Sequence, residues 1–190
     1  MSDILPIYYD IKAKLKDISY KFPYHGWMHT KTVYDTVCHL GWLEDIEECS
    51  FGRLKRAALY HETGFTTGKA ENHEYEGTII ARKELPFYGV HELDINEICS
   101  LIMTTVPGNE PIDIVESIMI DADYGYLGMD YYPYVEELLR RERGIVHSVW
   151  KKQQITFLEN HRFHTASARK LFDRQKEINL KRLLRDAKYI

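Results

Sequence analysis

The chain has 190 residues, enough for one domain that buries its core without disulfides or structural metals. Hydrophobic residues make up 44% and charged residues 28%, the shares of an ordinary globular protein, so disorder is not the default. The net charge of −4 argues against a dedicated nucleic-acid binder, while small anionic substrates stay open because they need only a local positive site.

Cys38, Cys49 and Cys99 are widely spaced, form no CxxC pair and read as free thiols of a reducing compartment. The opening MSDILPIYYD lacks the layout of a signal peptide, and no apolar run reaches the length of a bilayer span. A cytoplasmic protein with no membrane partner is expected.

Helical periodicity recurs along the whole chain and no alternating strand pattern competes with it, so an all-α, single-domain helical bundle is expected. A first helix is predicted over residues 7–21, stopping at Phe22-Pro23. The second runs from about 27 to 47 with Val33, Val37 and Leu40 on one face, and the third over about 51–62, ending near Gly64. The fourth covers about 71–85 before Pro86. Asp94 and Glu97 make a capping-box pattern for the fifth, whose stripe is Ile95, Ile98, Ile102 and Thr105. Pro111 suits the first turn of a helix reaching about Asp123. Helices near 131–143, 147–161 and 165–188 follow. The last segment, 165–190, holds eight Lys/Arg against three Asp/Glu, and is read as an amphipathic helix with a solvated basic face.

Nine histidines are present, five of them between positions 25 and 73. The informative segments are PYHGWMHT (23–30), AALYHETGF (57–65), ENHEYEG (71–77) and IMIDADYGYLG (118–128). His25 and His29 share a helix face if the helix has begun by 25. His61 and Glu62 can lean toward one point near a helix end. Asp121 and Asp123 follow the apolar Ile118-Met119-Ile120, where an unpaired carboxylate is costly to bury and a cation offsets that cost. Two imidazoles and two carboxylates make a mixed nitrogen and oxygen set for a divalent ion. Competing motifs fail: His61-Glu62 begins HExxH, but position 65 is Phe, and neither a phosphate loop nor GxSxG occurs.

These segments resemble the HD superfamily of metal-dependent phosphohydrolases, defined by the order His … His-Asp … Asp. AALYHETGF is similar to the family's AALxHDxGF, NHEYEG with IARKELP (80–86) to NHExxS…IAxxxLP, and DADYGYLG (121–128) to DADLxxLG. Tyr24-His25 with His29 resembles the YHxxxH arrangement of the phosphodiesterase branch. The resemblance covers about residues 20–160. It implies an all-helical HD-domain, phosphodiesterase-like fold and a metal held by His29, His61, Glu62 and Asp121. It also implies that His25 donates a proton to the leaving group.

One departure stands out: the doublet is His-Glu instead of His-Asp. The added methylene moves the carboxylate by about 1.5 Å, and in two-metal members that aspartate bridges ions about 3.5–4 Å apart. One ion is therefore expected rather than two, drawn from Mn, Mg, Zn, Fe, Co or Ni. His73 and Glu74 are candidates for an extra ligand, base or phosphate contact, Glu74 being retained as a catalytic candidate and His73 read as a helix-start residue. Asp123 is read as a supporting carboxylate, and His39, His91, His147, His161 and His164 are given no role. Trp27, Tyr60, Tyr75, Tyr124, Tyr126, Tyr131, Tyr132 and Tyr134 offer stacking faces for a base, though core packing is the simpler reading.

The expected function is hydrolysis of a phosphate ester of a nucleotide, cyclic nucleotide or related small molecule. A catalytically weakened nucleotide- or metal-binding regulatory module is the alternative. A di-iron oxygenase of the same fold is weaker, because only His73 and His91 lie between the doublet and Asp121 to supply its extra ligands. Homo-oligomerisation stays open.

Overall fold

Leu40 and the residues one and two turns before it, Val37 and Val33, are buried along one side of a helix that begins at Trp27, as the periodicity predicts. The same logic holds along the chain. A computed structural model describes residues 4–187 as nine α-helices and three 3₁₀ turns, with no strand among the described residues. The helices are α1 (Leu5–Asp17), α2 (Trp27–Leu43), α3 (Glu48–Tyr60), α4 (His73–Glu84), α5 (Glu92–Thr104), α6 (Ile114–Asp123), α7 (Tyr132–Glu142), α8 (His147–Asn160) and α9 (Ala166–Ala187). The 3₁₀ turns are Thr63–Thr67, Leu85–Tyr88 and Tyr124–Gly128. Residues 1–3 and 188–190, which the single-domain reading and the helix expected to 188 include, lie outside the described residues.

Several expected boundaries shift, among them the end of α2 at Leu43 instead of about 47, and three have a local reason. The first helix ends at Asp17 instead of 21, and the Ser19 hydroxyl donates to the Lys16 carbonyl just beyond its end. α5 starts at Glu92, because the His91 imidazole, not Asp94, accepts the N–H of Leu93 at 3.3 Å. Asp94 instead accepts from Arg53 Nε at 2.7 Å. α6 starts after Asp113, whose carboxylate accepts the Glu116 N–H at 2.8 Å, so Pro111 lies outside the helix.

α6 carries Ile118, Met119, Ile120, Asp121 and Ala122, all buried, and packs against α2, α3 and α5. α1 lies across α2, α3 and the first 3₁₀ turn, while α4 lies on that turn and on α5. α9 packs on α8, on the third 3₁₀ turn and on α2, burying Ala168, Phe172 and Leu183. Its Asn179 amide donates to the carbonyls of Leu127 and Met129, both at 2.9 Å. Two glycines permit backbone contacts that no other residue allows. A Cβ on Gly64 would stand 1.9 Å from the His73 carbonyl oxygen, and one on Gly128 would stand 2.3 Å from Phe172 Cβ. Gly64 is thus more than a helix terminator: it lets the turn after α3 touch the start of α4.

Candidate metal centre

His29 stands one helical turn before Val33 on the buried stripe of α2, which points its ring into the core. His61 follows α3 directly, four residues after Ala57 and seven after Leu54, and so continues that helix's buried stripe. Glu62 precedes the first 3₁₀ turn, and Asp123 ends α6. One ligand atom from each of His29, His61, Glu62 and Asp123 falls within 4.8 Å of all the others. His29 Nε2 lies 3.0 Å from Asp123 Oδ1 and 3.5 Å from Glu62 Oε1. His61 Nε2 lies 3.2 Å from Glu62 Oε1, 3.7 Å from Asp123 Oδ1 and 3.2 Å from His29 Nε2.

The proton positions follow from the partners. His61 Nδ1 lies 2.8 Å from the Ala58 carbonyl, which can only accept, so that nitrogen carries the hydrogen and Nε2 turns its lone pair into the cluster. Burial opposes a charge on His29, but hydrogen bonds to Asp123 and Glu62 overcome it and raise its pKa to about 9. Burial likewise favours the protonated form of Glu62, yet the adjacent His25, His61 and His29 hold its carboxyl well below the usual range. Glu62 is 2% exposed, and its Oε2 is buried with no hydrogen-bond partner among the described residues. Buried oxygens are rarely left so. An unpartnered carboxylate oxygen beside two imidazole nitrogens and a second carboxylate fits a divalent cation, which would displace the proton from His29.

The fourth member of the cluster is Asp123, where the sequence segments pointed to Asp121. That residue is fully buried, and its two oxygens accept the backbone N–H groups of His164 and Thr165, both at 2.7 Å. It ties the end of α6 to the turn entering α9, and burial raises its pKa despite these two bonds. Residues two apart on a helix diverge by about 200°, so only one of the two aspartates can face the cluster. Asp123, read from the sequence as a supporting group, is the one that does.

His25 lies beside the cluster rather than in it. Its Nδ1 pairs closely with Glu142 of α7, whose other oxygen accepts the backbone N–H groups of Tyr24 at 3.0 Å and His25 at 3.3 Å. Burial raises the Glu142 pKa, but these three partners outweigh it and leave the carboxyl below its ordinary value. Because a carboxylate only accepts, Nδ1 carries a hydrogen and Nε2 is the nitrogen left for other chemistry. The ring stacks on Phe65, centroids 4.7 Å apart at 14°, and Phe65 packs on His73 at 4.2 Å. Glu74 is buried next to His73, with Oε2 3.4 Å from the His73 Nδ1. It is not among the four clustered groups, and its neighbour His73 packs on Phe65, which stacks on His25. Glu142 was missed from the sequence because no local pattern marks a residue that acts 117 positions away.

Of the tyrosines, Tyr60 and Tyr132 are core residues, whereas Tyr24, Tyr126, Tyr131 and Tyr134 line a cavity of about 410 Å³ that His29 also borders. The basic residues of α9 are mostly solvated, but Lys176 is buried and donates to the His161 carbonyl at 2.7 Å. No helix among the described residues is long and apolar enough to cross a membrane.

No protein-family model matches the sequence, and no curated protein matches it. A crystal structure described as a predicted HD superfamily hydrolase, from an uncultured Thermotogales bacterium, superposes on the chain with a TM-score of 0.68. The two are 18% identical, and the likeness covers 96% of this chain and 90% of that one. The chain therefore shares the all-helical fold of that protein, in agreement with the HD-domain-like fold expected from the sequence segments.

Proposed function

We propose that this protein is a metal-dependent phosphohydrolase that cleaves a phosphate ester of a small molecule. The observation that carries the reading is the convergence of His29, His61, Glu62 and Asp123 around a buried carboxylate oxygen without a partner. The shared fold supports it, since the superposed protein is described as a predicted HD superfamily hydrolase. These four residues would hold one divalent ion, with His61 fixed in the required tautomer by Ala58. Such an ion supplies Lewis acidity toward a phosphoryl oxygen and a water acidified toward neutrality.

The remaining roles belong to the chain. His25, held by Glu142 through Nδ1, would pass a proton from Nε2 to the departing oxygen, with the Glu142 carboxylate as counter-charge while the ring is protonated. Phe65 keeps the ring flat against one face. Glu74 is proposed to support the site through His73 and Phe65. Asp121 anchors the turn at 164–165 instead of meeting the ion.

Elemental analysis and a screen of phosphate monoesters, diesters and cyclic nucleotides with Mn²⁺, Mg²⁺, Zn²⁺, Fe²⁺, Co²⁺ and Ni²⁺ test this. We expect about one equivalent of metal and ester cleavage, giving phosphate from a monoester or a monoester from a diester or cyclic nucleotide, that stops with chelator and returns with the ion. His25→Ala is expected to lower kcat about 100-fold or more while metal stays bound. Metal confirmed in the site with every ester left intact would overturn the reading. Activity that arises only in Glu62→Asp would instead identify a weakened binding module.

A further inference from the structure

Away from the metal cluster, α3 faces the start of α5 across a cavity of about 180 Å³ whose lining includes Arg53, Arg56, His91 and Asp94. Two guanidinium groups stand there against one carboxylate, and none of the lining residues belongs to the cluster. Arg53 and Arg56, three residues apart, lie on neighbouring turns of one face of α3.

Arg53 Nε donates to Asp94 at 2.7 Å, and its two terminal amino groups have no partner among the described residues. The His91 Nδ1 accepts the Leu93 N–H at 3.3 Å, so the neutral ring keeps its hydrogen on Nε2 as a donor. Arg56 is 6% exposed, and one of its terminal amino groups donates to the Gly52 carbonyl at 2.8 Å. Burial lowers its pKa, and the opposing pull of Asp94, Tyr34 and Tyr60 does not restore the ordinary value. Arginine keeps its charge even so, and a further anion beside it is favourable. Arg53 also borders a second cavity, of about 150 Å³, which Glu97, Asp113 and Glu116 line. Three carboxylates repel an anion on that side, so the two sides of Arg53 differ in electrostatic character.

We propose that the cavity between α3 and α5 binds a small tetrahedral oxyanion of the phosphate class, held by Arg53, Arg56 and His91. Pockets for larger organic ligands begin at about 300 Å³. This one is smaller, and at about 30 Å³ per water it has room for an oxyanion and a few waters. Guanidinium forks match the oxygen spacing of phosphate, and the lone carboxylate of the lining is already taken by Arg53 Nε. The site stands apart from the phosphohydrolase reading, because it uses none of the residues of the metal centre.

Calorimetric titration of the metal-free protein with inorganic phosphate, and separately with glycerol phosphate, tests the site together with crystals soaked in tungstate. Phosphate is expected to bind, and tungsten to be found among Arg53, Arg56 and His91. The tighter of the two phosphates tells whether the free ion or an esterified phosphate is the occupant, and either result supports the site. Arg53→Gln, which removes a charge and leaves Asp94 unpaired at the wall, should weaken phosphate about tenfold or more. His91→Asn, at an exposed residue, keeps a capping oxygen for α5 and should weaken it about threefold. No phosphate binding, tungsten at the metal cluster alone, or unchanged phosphate affinity in either variant with a native melt would overturn the proposal. The phosphohydrolase reading fails separately, through lack of ester cleavage by the metal-loaded protein.

Discussion

At the scale of single residues, Asp121 and Asp123 have the same side chain and opposite tasks. Asp121 receives two amide hydrogens and no imidazole, while Asp123 faces His29 and His61. Asp123→Asn is therefore expected to weaken metal binding by at least about 100-fold with a near-normal melt. Asp121→Asn turns an acceptor pair into one acceptor and one donor against two N–H groups. It should cost about 1–3 kcal/mol of stability and leave the metal stoichiometry intact. Calorimetry with elemental analysis distinguishes them, and the reverse pattern would sink the assignment. His29 and His61, which the segments resembling the HD superfamily single out, lie 3.2 Å apart, each in register with a buried apolar stripe. The choice between the aspartates was not legible in the sequence, since both follow the same apolar run and the deciding amides come from His164 and Thr165, more than forty positions later. Glu142 escaped for the same reason: hydrogen bonds across long sequence distances leave no periodic trace.

At the scale of elements, the doublet is positioned by a turn and not by a helix. α3 ends at Tyr60, and the 3₁₀ turn Thr63–Thr67 presses Gly64 on the first residue of α4. Gly64→Ala should force α4 away, costing about 3 kcal/mol and loosening Glu62. Gly125→Ala is the control, because a Cβ there meets Phe172 and Thr36 only at 3.6 Å and should cost under about 1 kcal/mol. Denaturant titration of the two variants decides the point, and equal small losses would refute the close-approach argument. Helix existence was legible nearly everywhere, since the 3.6-residue stripe reports which face is buried. The starts of α5 and α6 were not, because several residues near each start can cap, and local geometry chose His91 and Asp113.

At the scale of the whole molecule, the four donors come from α2, the segment after α3 and the end of α6, so an ion would join three elements of the core at one point. Ligand binding to the folded state at about 100 times its dissociation constant adds about 2.7 kcal/mol. For a chain of this size that corresponds to a rise of about 5–10 °C in Tm. We expect this rise in the native protein under scanning calorimetry and its loss in Asp123→Asn. An unchanged Tm with the ion shown to be bound would contradict the shared cluster. The likeness to the superposed structure spans 96% of the chain and so takes in α8 and α9, and α9 is packed into the fold through Phe172 and Asn179.

The reach of Glu142 back to Tyr24 and His25 has a consequence for how the site matures. A chain emerging from the ribosome has all four cluster donors once residue 123 is made, but the carboxylate that steadies His25 comes nineteen residues later. The amides that hold Asp121 come later still, at 164 and 165. In the order of synthesis, the proposed ion-holding residues are thus a first stage, and the partners of His25 and Asp121 a second. A break in the backbone after Gly144, where φ is +62° at an exposed turn, would spare the first stage and the Glu142 clasp while severing covalent continuity with the Asp121 anchor.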